Sequence, residues 1–116
     1  MALILANGGA NLDLPAMPDS QSNYLTLTSA STDIWNGKNC GIKNPTTIHA
    51  LRTSASSAIT VYYYKLYKDG SISRESVAIS ANNTWVDKTD DFSNVYACCF
   101  ALTGTLGSGE IHIYFE

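Results

Sequence analysis

SAITVYYYKLYKDGSISRESVAIS, Ser57 to Ser80, is the stretch whose reading decides the fold. It holds four of the chain's seven tyrosines and places Asp69-Gly70 between two runs rich in β-branched and aromatic residues. Asp-Gly between such runs is a hairpin signal, because glycine supplies the positive φ that a tight turn needs. A two-residue loop of type I′ sets Lys68 opposite Ser71. Counting then pairs Leu66 with Ser73, Tyr64 with Glu75, Tyr62 with Val77 and Thr60 with Ile79 on one face. The other face pairs Tyr67 with Ile72, Lys65 with Arg74, Tyr63 with Ser76, Val61 with Ala78 and Ile59 with Ser80. Lys65 against Arg74 is a like-charge pair, tolerable only in water. The expectation is therefore that Tyr62, Tyr64, Leu66, Val77 and Ile79 point inward, and that Ile59, Val61, Tyr63 and Tyr67 point outward.

The same period of two runs through most of the chain. Expected strands are Leu3–Ala6, Tyr24–Ser29, Thr46–Arg52, Ile59–Lys68, Ser71–Ser80, Thr84–Val86, Asn94–Thr103 and Glu110–Phe115. Turn chemistry separates them: NGGAN (Asn7–Asn11), WNGKNCG (Trp35–Gly41), Asp69-Gly70, Asn82-Asn83 and GTLGSG (Gly104–Gly109). One helical turn capped by Ser31 or Asp33 is expected near STDIWNG. Composition agrees with strands. Ser and Thr fill 24 positions and Asn nine, whereas Glu appears only at Glu75, Glu110 and Glu116. The fold class is all-β, a single-domain antiparallel β-sandwich or jelly roll of about eight strands. Residues 1–22 read as an N-terminal strand and extended arm, and 23–116 as the sandwich domain. The irregular segment 7–23 reads either as a crossover lying on the sandwich or as an arm docking on a neighbouring subunit through Leu12, Leu14 and Met17.

Charge and cysteine usage narrow the function classes. The formal net charge is −3 with seven basic residues and no basic run, so no nucleic-acid stripe is present. The MALILANGG opening lacks the positive region and apolar length of a signal peptide, and no segment has the length of a membrane span. The expected site of synthesis is the cytoplasm, without export. Cys98 and Cys99 are adjacent, so on a strand they face opposite ways. With Cys40 they are expected to be free thiols.

The search for chemistry ends without a catalytic set. His49 and His112 lie inside expected strands. No Cys and His spacing suits zinc, and no motif orients a Cys–His nucleophile pair. Asp87, Asp90 and Asp91 cluster within WVDKTDDF, but a calcium-loop spacing is absent and Lys88 interrupts them; a solvated Asx turn is the plainer reading. Asn82-Asn83-Thr84 is a glycosylation sequon by pattern. No enzymatic activity, cofactor or metal is expected.

The MALILANGG…LDLPAMP opening followed by hairpins resembles, in whole-chain style, the small all-β accessory structural proteins of tailed bacteriophages, of the capsid decoration or cement type. That resemblance implies a virion component, a homo-oligomer such as a trimer, and a capsid or other virion protein as partner. The expected contact residues are Leu12, Leu14, Met17, Ile59, Val61, Tyr63 and Tyr67. The alternative expectation is a carbohydrate-binding β-sandwich that stacks sugars on Tyr63 and Tyr67, about 13 Å apart along one strand, with Trp35 or Trp85 as further rings.

Overall fold

The computed structural model describes residues 16–28 and 35–116. The strands are β1 (Leu25–Leu27), β2 (Trp35–Gly41), β3 (Thr47–Arg52), β4 (Ile59–Tyr67), β5 (Ile72–Ile79), β6 (Val86–Thr89), β7 (Val95–Thr103) and β8 (Ile111–Phe115). They form two four-stranded sheets, in the orders β1-β8-β3-β6 and β2-β7-β4-β5, with every pairing antiparallel. The pairs β1–β8, β2–β7, β3–β6 and β4–β5 are those of one long hairpin, four strands up and four back. Rolling that hairpin adds β3–β8 and β4–β7 and closes a jelly roll. The expected all-β sandwich is thus what the chain forms.

The core lies between the sheets. Ile59, Val61, Tyr63, Val77, Ile79, Phe100, Leu102, Ile111, Ile113 and Phe115 are all buried in it. Phe115 anchors the aromatic part, edge-on to Phe92 at 5.5 Å between centroids and 6.3 Å from Phe100. Such buried rings dominate core energetics through area removed from water. Met17 packs against the core's edge, and Pro18 accepts a 2.9 Å bond from Phe115 N–H. The 16–23 stretch is therefore laid on its own sandwich. Leu12, Leu14 and the expected strand Leu3–Ala6 lie outside the described residues.

The hairpin at Asp69-Gly70 forms, but its register differs from expectation by one residue. Tyr67 N–H donates to Ser71 O at 2.9 Å, and Gly70 N–H to Tyr67 O at 3.0 Å. The loop thus holds three residues, Lys68 to Gly70, with Gly70 at φ +91°; this is a type I turn closed by a glycine bulge. Asp69 fixes it by accepting from both the N–H and the hydroxyl of Ser71. Ile59 now faces Ile79, Val61 faces Val77, Tyr63 faces Glu75 and Lys65 faces Ser73. One residue of slip turns every β4 side chain to the other face. Ile59, Val61 and Tyr63 are fully buried in the core and Tyr67 packs against it, so the expected outward face points inward. Tyr62, Tyr64 and Leu66 point away from the core, while Val77 and Ile79 face inward as expected.

Three smaller expectations also change. WNGKNCG, read as a turn, is the strand β2, whose pairing with β7 jumps between Trp35 and Lys38. Its Asn-Gly sits at that irregularity rather than at a chain reversal. Of the helical turn expected near STDIWNG, residues 31–34 lie outside the described residues, and Trp35 to Gly37 are strand. The short strand near Thr84–Val86 lies instead at Val86–Thr89.

Candidate partner-binding surface

The flipped register gives the second sheet two apolar faces. On the side away from the core, Leu66 of β4 and Ala97 and Cys99 of β7 are almost wholly buried, with Tyr64 and Tyr96 packed against them. Tyr96 reaches this face because β7 bulges where pairing jumps from Leu66–Ala97 to Tyr67–Val95. Tyr62 lies beside Tyr64 on β4, since residues two apart share a face. Across β5, Arg74 stands opposite Tyr64 and leans diagonally onto Tyr62, its guanidinium 4.8 Å from the ring centroid. A shallow groove of about 230 Å³ runs between Tyr62, Tyr64, Arg74, Ala101 and Thr103. No carboxylate among the described residues forms an ion pair with Arg74.

Lys65 and Lys88, by contrast, are both paired. Lys65, 5 % exposed, points into the sandwich and donates to Asp90 Oδ1 at 3.0 Å and to Asp91 O at 3.1 Å. Tyr63 donates its hydroxyl to Asp90 Oδ2 at 2.6 Å. Burial pulls the Lys65 ammonium down, but the bond and charge of Asp90 outweigh that and hold its pKa above the ordinary 10.5. Burial also pushes the Asp90 carboxyl up, and the Tyr63 and Lys65 hydrogen bonds more than reverse it, leaving its pKa below the ordinary 3.8. Burial, then Asp90, raises the Tyr63 phenol strongly. Lys88 bonds Glu75 and the Ser76 carbonyl, 5.6 Å from the Tyr63 ring centroid.

The three aspartates of WVDKTDDF diverge. Asp87 lies 2.5 Å from His49 Nδ1, Asp90 serves Lys65 and Tyr63, and Asp91 accepts from the N–H and hydroxyl of Ser93 in an Asx turn. Among the described residues no group of three or more His, Cys, Asp or Glu side chains is placed to hold a metal ion. His49 is on the outer face of the first sheet, stacked on Tyr114 at 4.3 Å with its Nε2 2.9 Å from Glu116. His112 stacks on Tyr24 at 4.0 Å and bonds Glu110. The cysteines belong to the second sheet. Cys40 and Cys98 are cross-strand partners, and all three thiols are free and buried. Burial pushes Cys40 and Cys99 up to about 12, and Cys98 well above its ordinary value. A thiol held protonated is a poor nucleophile.

Of the expected contact residues, Ile59, Val61 and Tyr63 are sealed in the core, and Met17 and Tyr67 are half-buried against it. Tyr67 also bonds Ser73 through its hydroxyl at 3.1 Å. Trp85 is half-buried, edge-on to Tyr114 at 5.0 Å. The sequence reading missed Tyr62, Tyr64, Tyr96 and Arg74 as surface residues. A signal was present: only the three-residue loop pairs Ile59 with Ile79 and Val61 with Val77, apolar with apolar. No protein-family model, curated protein or solved structure matches this chain.

Proposed function

We propose that the chain is a non-enzymatic structural protein that fastens to a larger protein assembly, a virion component of the capsid-decoration type, through the outer face of its second sheet. The observation that carries this reading is the grouping of Tyr62, Tyr64, Tyr96 and Arg74 over Leu66, Ala97 and Cys99. Tyrosine and arginine are the residues on which protein interfaces concentrate binding energy. Tyr62, Tyr64 and Tyr96 are half-buried and Arg74 is exposed, so these four present the face while Leu66, Ala97 and Cys99 lie beneath them. The jelly roll recurs in viral capsid and lectin domains, which supports the reading by fold-level analogy alone. Self-association, a trimer included, belongs to this proposal, as do contacts from Leu12 and Leu14.

Site-specific photo-crosslinking tests it. A benzophenone side chain at position 62 should capture a second copy or a capsid-type protein. The same group at exposed Thr89, on the outer face of the other sheet, should not. Equal capture at both positions, or none at 62, would remove this face from the interface. A carbohydrate-binding module is the second reading, moved from Tyr63 and Tyr67 to Tyr62 and Tyr64. The groove beside those two rings favours it. A chain that stays monomeric while glycans perturb Tyr62 and Tyr64 would select it.

A further inference from the structure

The end of the sandwich remote from the Lys68–Gly70 turn holds an open depression of about 390 Å³ that the proposed interface does not use. Three connections build it: 53–58 between β3 and β4, 80–85 between β5 and β6, and 104–110 between β7 and β8. Its lining bears the hydroxyls of Ser54, Ser56, Thr105 and Ser108 and the carboxamide of Asn82, with apolar surface from half-buried Ala55 and the edge of the nearly buried Leu106. Among the described residues none of those four hydroxyls makes a hydrogen bond to protein. Asn82 is oriented, because its Oδ1 accepts from Ala55 N–H at 3.1 Å. Among the described residues, neither Nδ2 proton has a protein acceptor.

The frame around the depression is braced in advance. Asn83 N–H donates to Arg52 O at 2.7 Å, Thr53 N–H to Glu110 O at 2.9 Å, and Glu110 N–H to Thr53 Oγ1 at 2.9 Å. Gly109 N–H donates to Leu106 O at 3.2 Å, and a Cβ at Gly109 would stand 2.0 Å from Ser54 O, so only glycine lets these two loops meet. Behind them the buried guanidinium of Arg52 ties the Ser57 and Ser80 carbonyls. An open depression of this size can seat one small unit on its surface without enclosing it. Its lining carries no ionised side chain and no aromatic anchor, which disfavours both an ion and a protein hot spot. Hydroxyls and a carboxamide, each able to donate and accept, match the alternating donors and acceptors of a polyol.

We propose that this depression is a binding site for a single neutral saccharide unit, held by Ser54, Ser56, Asn82, Thr105 and Ser108 with its less polar face toward Ala55. The site is separate from the tyrosine face, and the two can act independently. The test is a titration of the isotope-labelled chain with methyl glycosides of glucose, galactose, mannose and N-acetylglucosamine, read by amide chemical shifts. At least one glycoside should shift residues 54–56, 82 and 105–108 and leave β4 and β5 unmoved. Ser108→Trp fills the depression from an exposed position and should abolish those shifts while the unfolding midpoint holds. Ser56→Trp repeats the test from the facing loop should the first variant fold poorly. Shifts that persist in a folded variant overturn the site, as does silence toward every glycoside or a response centred on Tyr62 and Tyr64. Sodium sulfate alone moving the same amides, without any glycoside response, would mark an anion site and also overturn the proposal.

Discussion

Replacing Asp90 by alanine leaves the Lys65 ammonium inside the sandwich with the Asp91 carbonyl, the Tyr67 hydroxyl and the Phe92 ring, none of them a full counter-charge. Lys65 is 5 % exposed and its ion pair with Asp90 is 3.0 Å long. Breaking a buried pair from one side costs about 3–5 kcal/mol, because the remaining charge loses its counter-charge and cannot regain water. Tyr63 also loses its 2.6 Å acceptor. Against a typical total stability of about 5–15 kcal/mol, the loss should show as a large fall in the urea midpoint followed by far-UV circular dichroism. Lys65→Met in the same background removes the stranded charge. It should recover about 0.5–3 kcal/mol of coupling in a double-mutant cycle. The pH dependence carries a matching sign. Asp90 has a folded pKa below 3.8, so its contribution is full above that value and is lost as pH falls through the folded pKa. Lys65 has a folded pKa above 10.5, so its contribution is full below that value and is lost as pH rises through the folded pKa. An Asp90→Ala cost under about 1 kcal/mol, the value of an exposed pair, would refute the reasoning and turn Lys65 out to solvent.

Three further outcomes follow from the same register. Tyr63→Ala should cost about 3–5 kcal/mol as a buried ring is lost, whereas Tyr62→Ala on the isolated chain should cost less than about 1 kcal/mol; urea melts rank them, and the opposite order would restore the two-residue loop. Thiol titration should find three groups in unreduced, denatured protein and scarcely any reactivity in the native fold, since all three cysteines are buried; a count of one would reveal a disulfide. Phe115→Ala should lower stability by about 3–5 kcal/mol, and a loss of under about 1 kcal/mol would deny Phe115 its place between Phe92 and Phe100.

The period of two, the turn residues and the scarcity of glutamate made the sandwich legible before any coordinates, because those signals are local. The face of β4 was not legible by the same means. Asp69-Gly70 suits a two-residue loop and a three-residue loop alike; the two-residue count sets Lys65 against Arg74, and that like-charge pair turns the face of Ile59, Val61 and Tyr63 toward water. Lys65 is buried because Asp90, 25 residues away and itself held by the Tyr63 hydroxyl, supplies the counter-charge, and the Asp91 carbonyl the second bond. A partner that distant leaves no mark on local alternation. The apolar match of Ile59 with Ile79 and Val61 with Val77 did carry the answer, and it outweighs one charge. β2 escaped notice because Asn36-Gly37 reads as a turn. The pairing irregularity between Trp35 and Lys38 absorbs that dipeptide without reversing the chain. The hydroxyl-lined depression had no linear signature, since its three loops meet only when the long hairpin rolls up.

The claim that the second sheet's outer face is an assembly surface is tested most directly by sedimentation equilibrium of the wild-type chain beside the Tyr62→Ser/Tyr64→Ser/Tyr96→Ser variant. The wild-type mass should be a multiple of the 12.5 kDa chain. The variant should fall to a single chain with an unchanged circular dichroism spectrum. A wild-type chain that remains a monomer at every concentration, or an oligomer whose mass ignores the three substitutions, would contradict the account.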